Sequence, residues 1–293
     1  MEKNNILLMA YGTPSKKEDV GPYLKDIFNG KEVPQNVVEE TLEKYEKIGF
    51  SPLKSITEEQ AVLLERNLAA LGHVCSVSIG MKHWHPRIEE VASAIKEGDP
   101  EKVIGMIIHP FKSVMGSEEY KKMFFSAFNG LDAKFIDSWY SEEVLYDAWS
   151  DNIKAELRKF SNINDVFVIF TSHGLPSSVE DKIYKTQLEE FSSRLAEMNN
   201  IKNYCLAYQN GSHTNWYAPE VTQKLTDVKD KGFKDVLIVP IGYLSDSLET
   251  LYDIDIGYKK FSVDIGINMH RASCLNLSDK LISAMSSAIV KAL

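Results

Sequence analysis

His173 stands in the run Thr171-Ser-His-Gly-Leu-Pro176, and Glu249 in the run Ser245-Asp-Ser-Leu-Glu-Thr-Leu-Tyr-Asp-Ile-Asp255. An imidazole titrates near neutrality and ligates borderline metals such as Fe²⁺, Co²⁺ and Zn²⁺. A lone histidine is ordinarily a buried one bonded to backbone. This one closes an apolar strand immediately before a Gly-x-Pro turn, which points its side chain into a cleft. Glu249 and Asp253 are four residues apart and share one helical face, while Asp255 sits on another face unless the helix is distorted. Like charges at that spacing disfavour an isolated helix. They read either as a solvated acidic face or as a file of carboxylates that delivers a hydrated cation and accepts protons. A π-bulge, frequent at functional sites, would improve the alignment of the file. Asp246 or Ser247 is the expected N-cap.

Two further groups carry weaker signals. Lys82-His-Trp-His85 follows a strand; Lys82 suits a carboxylate anchor, and two histidines at i,i+2 could bind a metal given a third partner. The loop Tyr208-Gln-Asn-Gly-Ser-His-Thr-Asn-Trp-Tyr217 offers Trp216 and Tyr217 either as a satellite hydrophobic patch or as walls for a flat apolar ligand. Cys75, Cys205 and Cys274 are too dispersed for an iron–sulfur cluster or a thiolate zinc site and read as reduced, small buried residues. There is no GxGxxG, P-loop, GxSxG or HExxH, which argues against nucleotide chemistry and serine hydrolysis. A formal charge of −9 argues against nucleic acid as a partner. No segment has signal-peptide or transmembrane character, so a cytoplasmic, monomeric protein is expected.

The elements that must position these groups alternate. Strands are expected at 5–10, 74–80, 103–109, 134–137, 166–171, 203–208, 235–240 and 263–268. Helical periodicity marks 37–48, 58–70, 88–96 and 142–160. Alternation of this kind predicts parallel sheets covered by helices. The strands fall into two sets of four that resemble each other. Ile6-Leu-Leu-Met-Ala-Tyr-Gly-Thr-Pro14 parallels Val168-Ile-Phe-Thr-Ser-His-Gly-Leu-Pro176, and Ile107-Ile-His-Pro110 parallels Leu237-Ile-Val-Pro240. The expected fold is therefore α/β, two similar Rossmann-like domains, each a four-stranded parallel sheet flanked by helices, facing a central cleft. Residues 1–145 form one lobe and 146–293 the other. Ligands of open parallel sheets bind outside the carboxyl ends of the strands. That rule selects Tyr11, 82–85, 109–115, His173, 208–216 and 243–255.

Taken together, Ala10-Tyr-Gly-Thr-Pro14, Ile48-Gly-Phe-Ser-Pro-Leu53, Gly80-Met-Lys-His83, Ser172-His-Gly-Leu-Pro176, Trp216 with Pro219, and Pro240-Ile-Gly-Tyr-Leu-Ser-Asp-Ser-Leu-Glu-Thr-Leu-Tyr-Asp253 resemble the ferrochelatases over nearly the whole chain. The resemblance implies insertion of Fe²⁺ into a porphyrin, coproporphyrin III or protoporphyrin IX, in haem biosynthesis. It implies that His173 and Glu249 are the metal-insertion pair, with Asp253 continuing the acidic file. Tyr11 would approach the macrocycle from the opposite face, Ser51 and Trp216 would help form the pocket, and Lys82 and His83 would lie near its mouth. Tyr11 is similar to the variant of the coproporphyrin-type enzymes of Gram-positive bacteria; protoporphyrin-type enzymes more often carry methionine there. Iron would be a substrate rather than a prosthetic group. One position departs from the pattern: Gly257 stands where relatives tend to carry an acid, so either Asp255 substitutes or the outer metal site is weakened or absent.

Competing readings are a sirohydrochlorin cobalt or nickel chelatase, a non-catalytic porphyrin or haem carrier, and a solute-binding protein with two α/β lobes. The downstream glutamate helix favours the ferrochelatase pattern over the first.

Overall fold

The computed structural model describes residues 4–210 and 215–293. Residues 211–214 of the aromatic loop lie outside the described residues. Every strand pairing is parallel. The first sheet comprises β1 (Asn4–Ala10), β2 (Cys75–Met81), β3 (Lys102–Ile107) and β4 (Ala133–Ile136), and the second β5 (Val166–His173), β6 (Tyr204–Gln209), β7 (Asp235–Val239) and β8 (Asn268–Arg271). Their orders are β2-β1-β3-β4 and β6-β5-β7-β8, the same arrangement twice. Strand order reverses direction between β1 and β3, and again between β5 and β7, which places a ligand crevice at the carboxyl ends of those four strands. The repeat in the sequence is thus a repeat of topology.

The central strands read as continuous apolar runs because both faces are covered. Ile6, Leu7, Leu8 and Met9 of β1 are fully buried, as are Ile169 and Phe170 of β5. The lobes differ in their first crossover. Between β5 and β6 runs one helix, α7 (Lys182–Met198), whereas β1 and β2 are joined through α1 (Lys17–Ile27), α2 (Gln35–Ile48) and α3 (Leu53–Ala70). The additional pair builds a small apolar cluster of its own around Val20, Tyr23, Leu24 and Tyr45, against which Leu248 of the other half packs. The remaining helices are α4 (Ile88–Glu97), α5 (Ser117–Ala127), α6 (Glu143–Leu157), α8 (Val221–Asp230), α9 (Lys259–Asp264) and α10 (Asp279–Val290). α10 packs on both α3 and α6, so the last helix ties the halves together.

One strand lies elsewhere than expected. The stretch 263–268 alternates apolar and polar residues like a strand, yet its first residues finish α9. Val263 is 63% exposed, while Ile267 and Met269, nearer the true strand at Asn268–Arg271, are buried. The helix simply runs on from its predecessor, and alternation over six residues is too short to exclude that. No helix among the described residues is long and apolar enough to cross a membrane.

Candidate active site

A cavity of about 560 Å³ opens where the sheet crevices meet, a size in the range of small-molecule sites. Its walls bring together Tyr11, Ser51, Lys82, His83, His173, Trp216 and Glu249, all expected at the site. Asp253 is off that wall.

His173 is the last residue of β5, where the alternation of an otherwise buried strand turns its ring outward. Its Nδ1–H donates to the Gly174 carbonyl at 2.6 Å, since a carbonyl can only accept. That bond fixes the tautomer and leaves Nε2 with its lone pair. Below it, the Tyr184 hydroxyl donates to the His173 carbonyl at 3.0 Å and accepts from Ser172 Oγ at 2.6 Å. The Trp216 ring lies against the imidazole, with centroids 5.4 Å apart. Its neighbour Tyr217 faces the core instead: it is buried, packs on Tyr208 and donates its hydroxyl to the Val179 carbonyl at 2.6 Å.

Glu249 opens a π-helix that spans Glu249–Tyr258, and the Lys259 N–H reaches the Ile254 carbonyl five residues back. The Ser247 hydroxyl donates to Glu249 Oε2 at 2.6 Å. Neither Asp246 nor Ser247 caps the helix with its side chain; Asp246 is occupied by Arg271 and Asn276 instead. Asp253 lies a turn beyond Glu249. Burial and the Glu249 charge raise its carboxyl to about 6, against a smaller opposing pull from Lys44. Asp255 is held at both oxygens by Arg271, at 2.7 and 2.8 Å, and does not stand in for the acid missing at Gly257. Among the described residues no three His, Cys, Asp or Glu side chains are grouped to hold a metal ion.

The rest of the lining comes largely from the first half of the chain. Tyr11 follows β1, and the turn after it needs Gly12: φ there is +97°, and a Cβ would lie 2.9 Å from the Trp84 nitrogen. The Tyr11 ring packs on His83 with centroids 4.6 Å apart. Desolvation, then the charges of Glu249, Glu119 and Asp26, push its phenol up to about 12, so it stays protonated. The His83 Nδ1–H donates to Asp26 Oδ2 at 2.8 Å, and Arg87 Nη2 donates to Asp26 Oδ1 at 2.8 Å. His85 turns to Glu90 instead, so the two histidines do not converge on one ion. The Lys82 ammonium is paired with Glu119, so a ligand carboxylate would have to compete for it.

Two further residues of the cavity carry no role in the sequence reading, although His109 falls within the strand-end stretch 109–115 that it selects. His109 follows β3, and its Nδ1–H donates to the Phe111 carbonyl at 3.0 Å; burial, with the nearby His173, lowers its pKa to about 4, so it is neutral. Its strand-end position was the available signal. Tyr184 had none, because it sits in the first turn of α7 with nothing local to mark it.

The family model described as Ferrochelatase matches residues 3–293. A coproporphyrin III ferrochelatase of Oceanobacillus iheyensis is 31% identical, with 99% of this chain and 98% of that protein covered. One of Halalkalibacterium halodurans is also 31% identical, over 100% and 98%. A ferrochelatase of Thermus thermophilus is 30% identical, over 97% and 98%. Among solved structures, the sirohydrochlorin chelatase SirB of Bacillus subtilis subspecies spizizenii with cobalt superposes with a TM-score of 0.61 at 13% identity, covering 99% of this chain and 94% of that one. CbiX, described as the terminal enzyme of sirohaem biosynthesis in denitrifying bacteria, does so at 0.59 and 10%, over 99% of both chains. At those identities the likeness is one of fold.

Proposed function

The chain belongs to the ferrochelatase family and is a lyase-class metal chelatase, and from that premise we propose that it inserts Fe²⁺ into coproporphyrin III, with His173 and Glu249 as the working pair. The observation that carries the assignment of residues is their arrangement. An imidazole whose Nδ1–H is taken by a backbone carbonyl and a carboxylate, both from the second half of the chain, line one aromatic-lined cavity together with a neutral phenol, Tyr11, from the first half. The choice of porphyrin rests on Tyr11 and on the coproporphyrin III activity named for the two Bacillus-type relatives.

Insertion must remove two pyrrole protons and turn nitrogen lone pairs out of the ring plane. Walls that grip the ring from both sides supply distortion, with strain of about 1–5 kcal/mol drawn from binding at the periphery. His173 Nε2 accepts one pyrrole proton, its Nδ1–H anchored so that the ring cannot turn away, and the Glu249 carboxylate accepts the second as it gives up the ion. Glu249 exchanges water for carboxylate oxygen on the incoming ion and releases it to the ring; Asp253 supplies the preceding carboxylate. A site with few protein donors suits an ion in transit, because a complete ligand set would retain it. Ser51 and Trp216 enclose the ring, and Lys82 and His83 stand at the mouth. The same reading divides the lobes at residues 145 and 146.

Anaerobic incubation with Fe²⁺ and, in separate cuvettes, coproporphyrin III, protoporphyrin IX and sirohydrochlorin tests it by absorbance. Turnover is expected with coproporphyrin III. His173→Ala should abolish it in a folded protein, and Glu249→Gln should reduce kcat strongly with porphyrin binding retained. Full activity in both variants, or turnover with sirohydrochlorin alone, overturns the proposal; tight binding without turnover would make the protein a carrier.

A further inference from the structure

The turn before the π-helix and the body of that helix converge on one side chain. Arg271, the last residue of β8, donates from Nε to Asp255 Oδ1 at 2.7 Å and from Nη2 to Asp255 Oδ2 at 2.8 Å. Its remaining arm, Nη1, reaches Asp246 Oδ1 at 3.2 Å. The other Asp246 oxygen accepts from Asn276 Nδ2 at 2.8 Å, and the Asp246 backbone N–H donates to Asn276 Oδ1 at 2.8 Å. Asn276 is held in turn by Gln60 of α3, which is fully buried and donates to the Asn276 carbonyl at 2.7 Å and to Ser245 Oγ at 3.0 Å. One chain of hydrogen bonds therefore runs from the first half of the molecule to the middle of the π-helix.

Glu249 lies inside the span that this network closes, three residues after Asp246 and six before Asp255. Backbone bonding of the i→i+5 kind is rare and mostly limited to single turns. A ten-residue run is therefore a conformation that tertiary contacts have to hold. A guanidinium is suited to that task. It is a rigid planar fork that grips a carboxylate at both oxygens, which an ammonium cannot imitate. The Arg271 side chain is only 13% exposed, and solvent screens its arm to Asp246, 21% exposed, less than its fork on Asp255, 37% exposed.

We propose that Arg271 is a positioning residue for metal insertion: by clamping Asp246 and Asp255 it holds the π-helix in the register that turns Glu249 into the cavity beside His173. The proposal rests on the reading of Glu249 as the insertion carboxylate. It also explains why Asp255 plays no part in the acidic file, because the clamp consumes both its oxygens.

Arg271→Lys keeps the charge and loses the fork; Asp255→Asn keeps the shape and loses one charged acceptor. With Fe²⁺ and coproporphyrin III under anaerobic conditions, each should lower kcat at least about tenfold, the range expected when groups behind a metal-handling residue are removed. Porphyrin affinity, followed by quenching of its fluorescence, should stay within about twofold. Amide hydrogen exchange across residues 249–258 should rise in both variants. A role limited to global stability would lower the melting temperature while leaving kcat per folded molecule and local exchange unchanged, and that result overturns the proposal. Should Arg271→Lys fail to fold, Asp255→Asn decides alone, and wild-type kcat in it overturns the proposal. Glu249→Gln and His173→Ala run alongside. If they are inactive while the Arg271 and Asp255 variants are fully active, only the clamp is refuted; if they too are fully active, the assignment of the pair fails first.

Discussion

Ser172 and Gly242 lie so close that no side chain fits between the ends of β5 and β7. A Cβ built at Gly242 would stand 2.6 Å from the Ser172 Cβ and 2.8 Å from its Cα, and would overlap its hydroxyl. Ser172 immediately precedes His173, and its hydroxyl is part of the bond chain through Tyr184 that supports the histidine. The spacing of the two strand ends is therefore a determinant of where the imidazole sits.

Gly242→Ala should displace Ser172 and His173 together. The expected cost is about 1–3 kcal/mol in stability, as for overpacked sites, with a fall in kcat of about a hundredfold if the imidazole shifts by an ångström. Urea denaturation and steady-state insertion measure the two effects; wild-type kcat in the folded variant would show that the strand ends absorb the methyl elsewhere.

Asp253 gives a pH-dependent prediction. Its carboxyl titrates at about 6, above the 3.8 of an unperturbed aspartate, because burial and Glu249 disfavour its charge more than Lys44 favours it. The folded state therefore binds the extra proton more tightly than the unfolded one. Stability from this group is complete below about 3.8 and is lost as pH rises through about 6. Asp253→Asn should stabilise the metal-free protein at pH 7.5 by at most about 3 kcal/mol and by visibly less at pH 5. Equal gains at both pH values in urea titrations would contradict the origin assigned to the shift.

Gln60→Ala tests the link between the halves of the chain. Gln60 is fully buried and holds both Ser245 and Asn276. Its loss leaves the part-buried Asn276 carbonyl without its donor, a penalty of at most about 1–3 kcal/mol, in addition to the cavity. A lower urea midpoint with an unchanged m-value is the expected result.

Trp216 packs on His173 and lines the cavity. Trp216→Ala should raise KM for the porphyrin about tenfold, through loss of an aromatic contact worth about 0.5–1.5 kcal/mol beyond its buried area, while Trp216→Phe keeps most of the affinity. Identical KM values for both variants and the parent, measured at saturating metal, would remove Trp216 from the pocket.

Several of these relationships were legible in the chain. Apolar runs of the right length mark seven of the eight strands, because a doubly covered parallel strand must be hydrophobic throughout. The repeat of the β1 and β5 segments foretells the duplicated strand order, since each run ends in a ring followed by Gly-x-Pro. Position at a strand's carboxyl end, which is local information, was enough to select Tyr11 and His173. The spacing of Glu249 and Asp253 puts them on one helical face, and only Asp255 raised a distortion of the helix, which is a π-helix although Asp255 turns to Arg271.

What local pattern does not encode is which partner a charge finds. The interactions of Asp255 with Arg271, Lys82 with Glu119 and Asp26 with Arg87 join residues 16, 37 and 61 positions apart. Only chain closure decides them, and they determine which carboxylates and ammonium groups remain available to a ligand. The same holds for Trp216 and Tyr217, adjacent in sequence but sent to the cavity and to the core by the fold around them. Periodicity fixes the face of an element on which a residue lies; what lies opposite that face is set by the packing of elements distant in sequence.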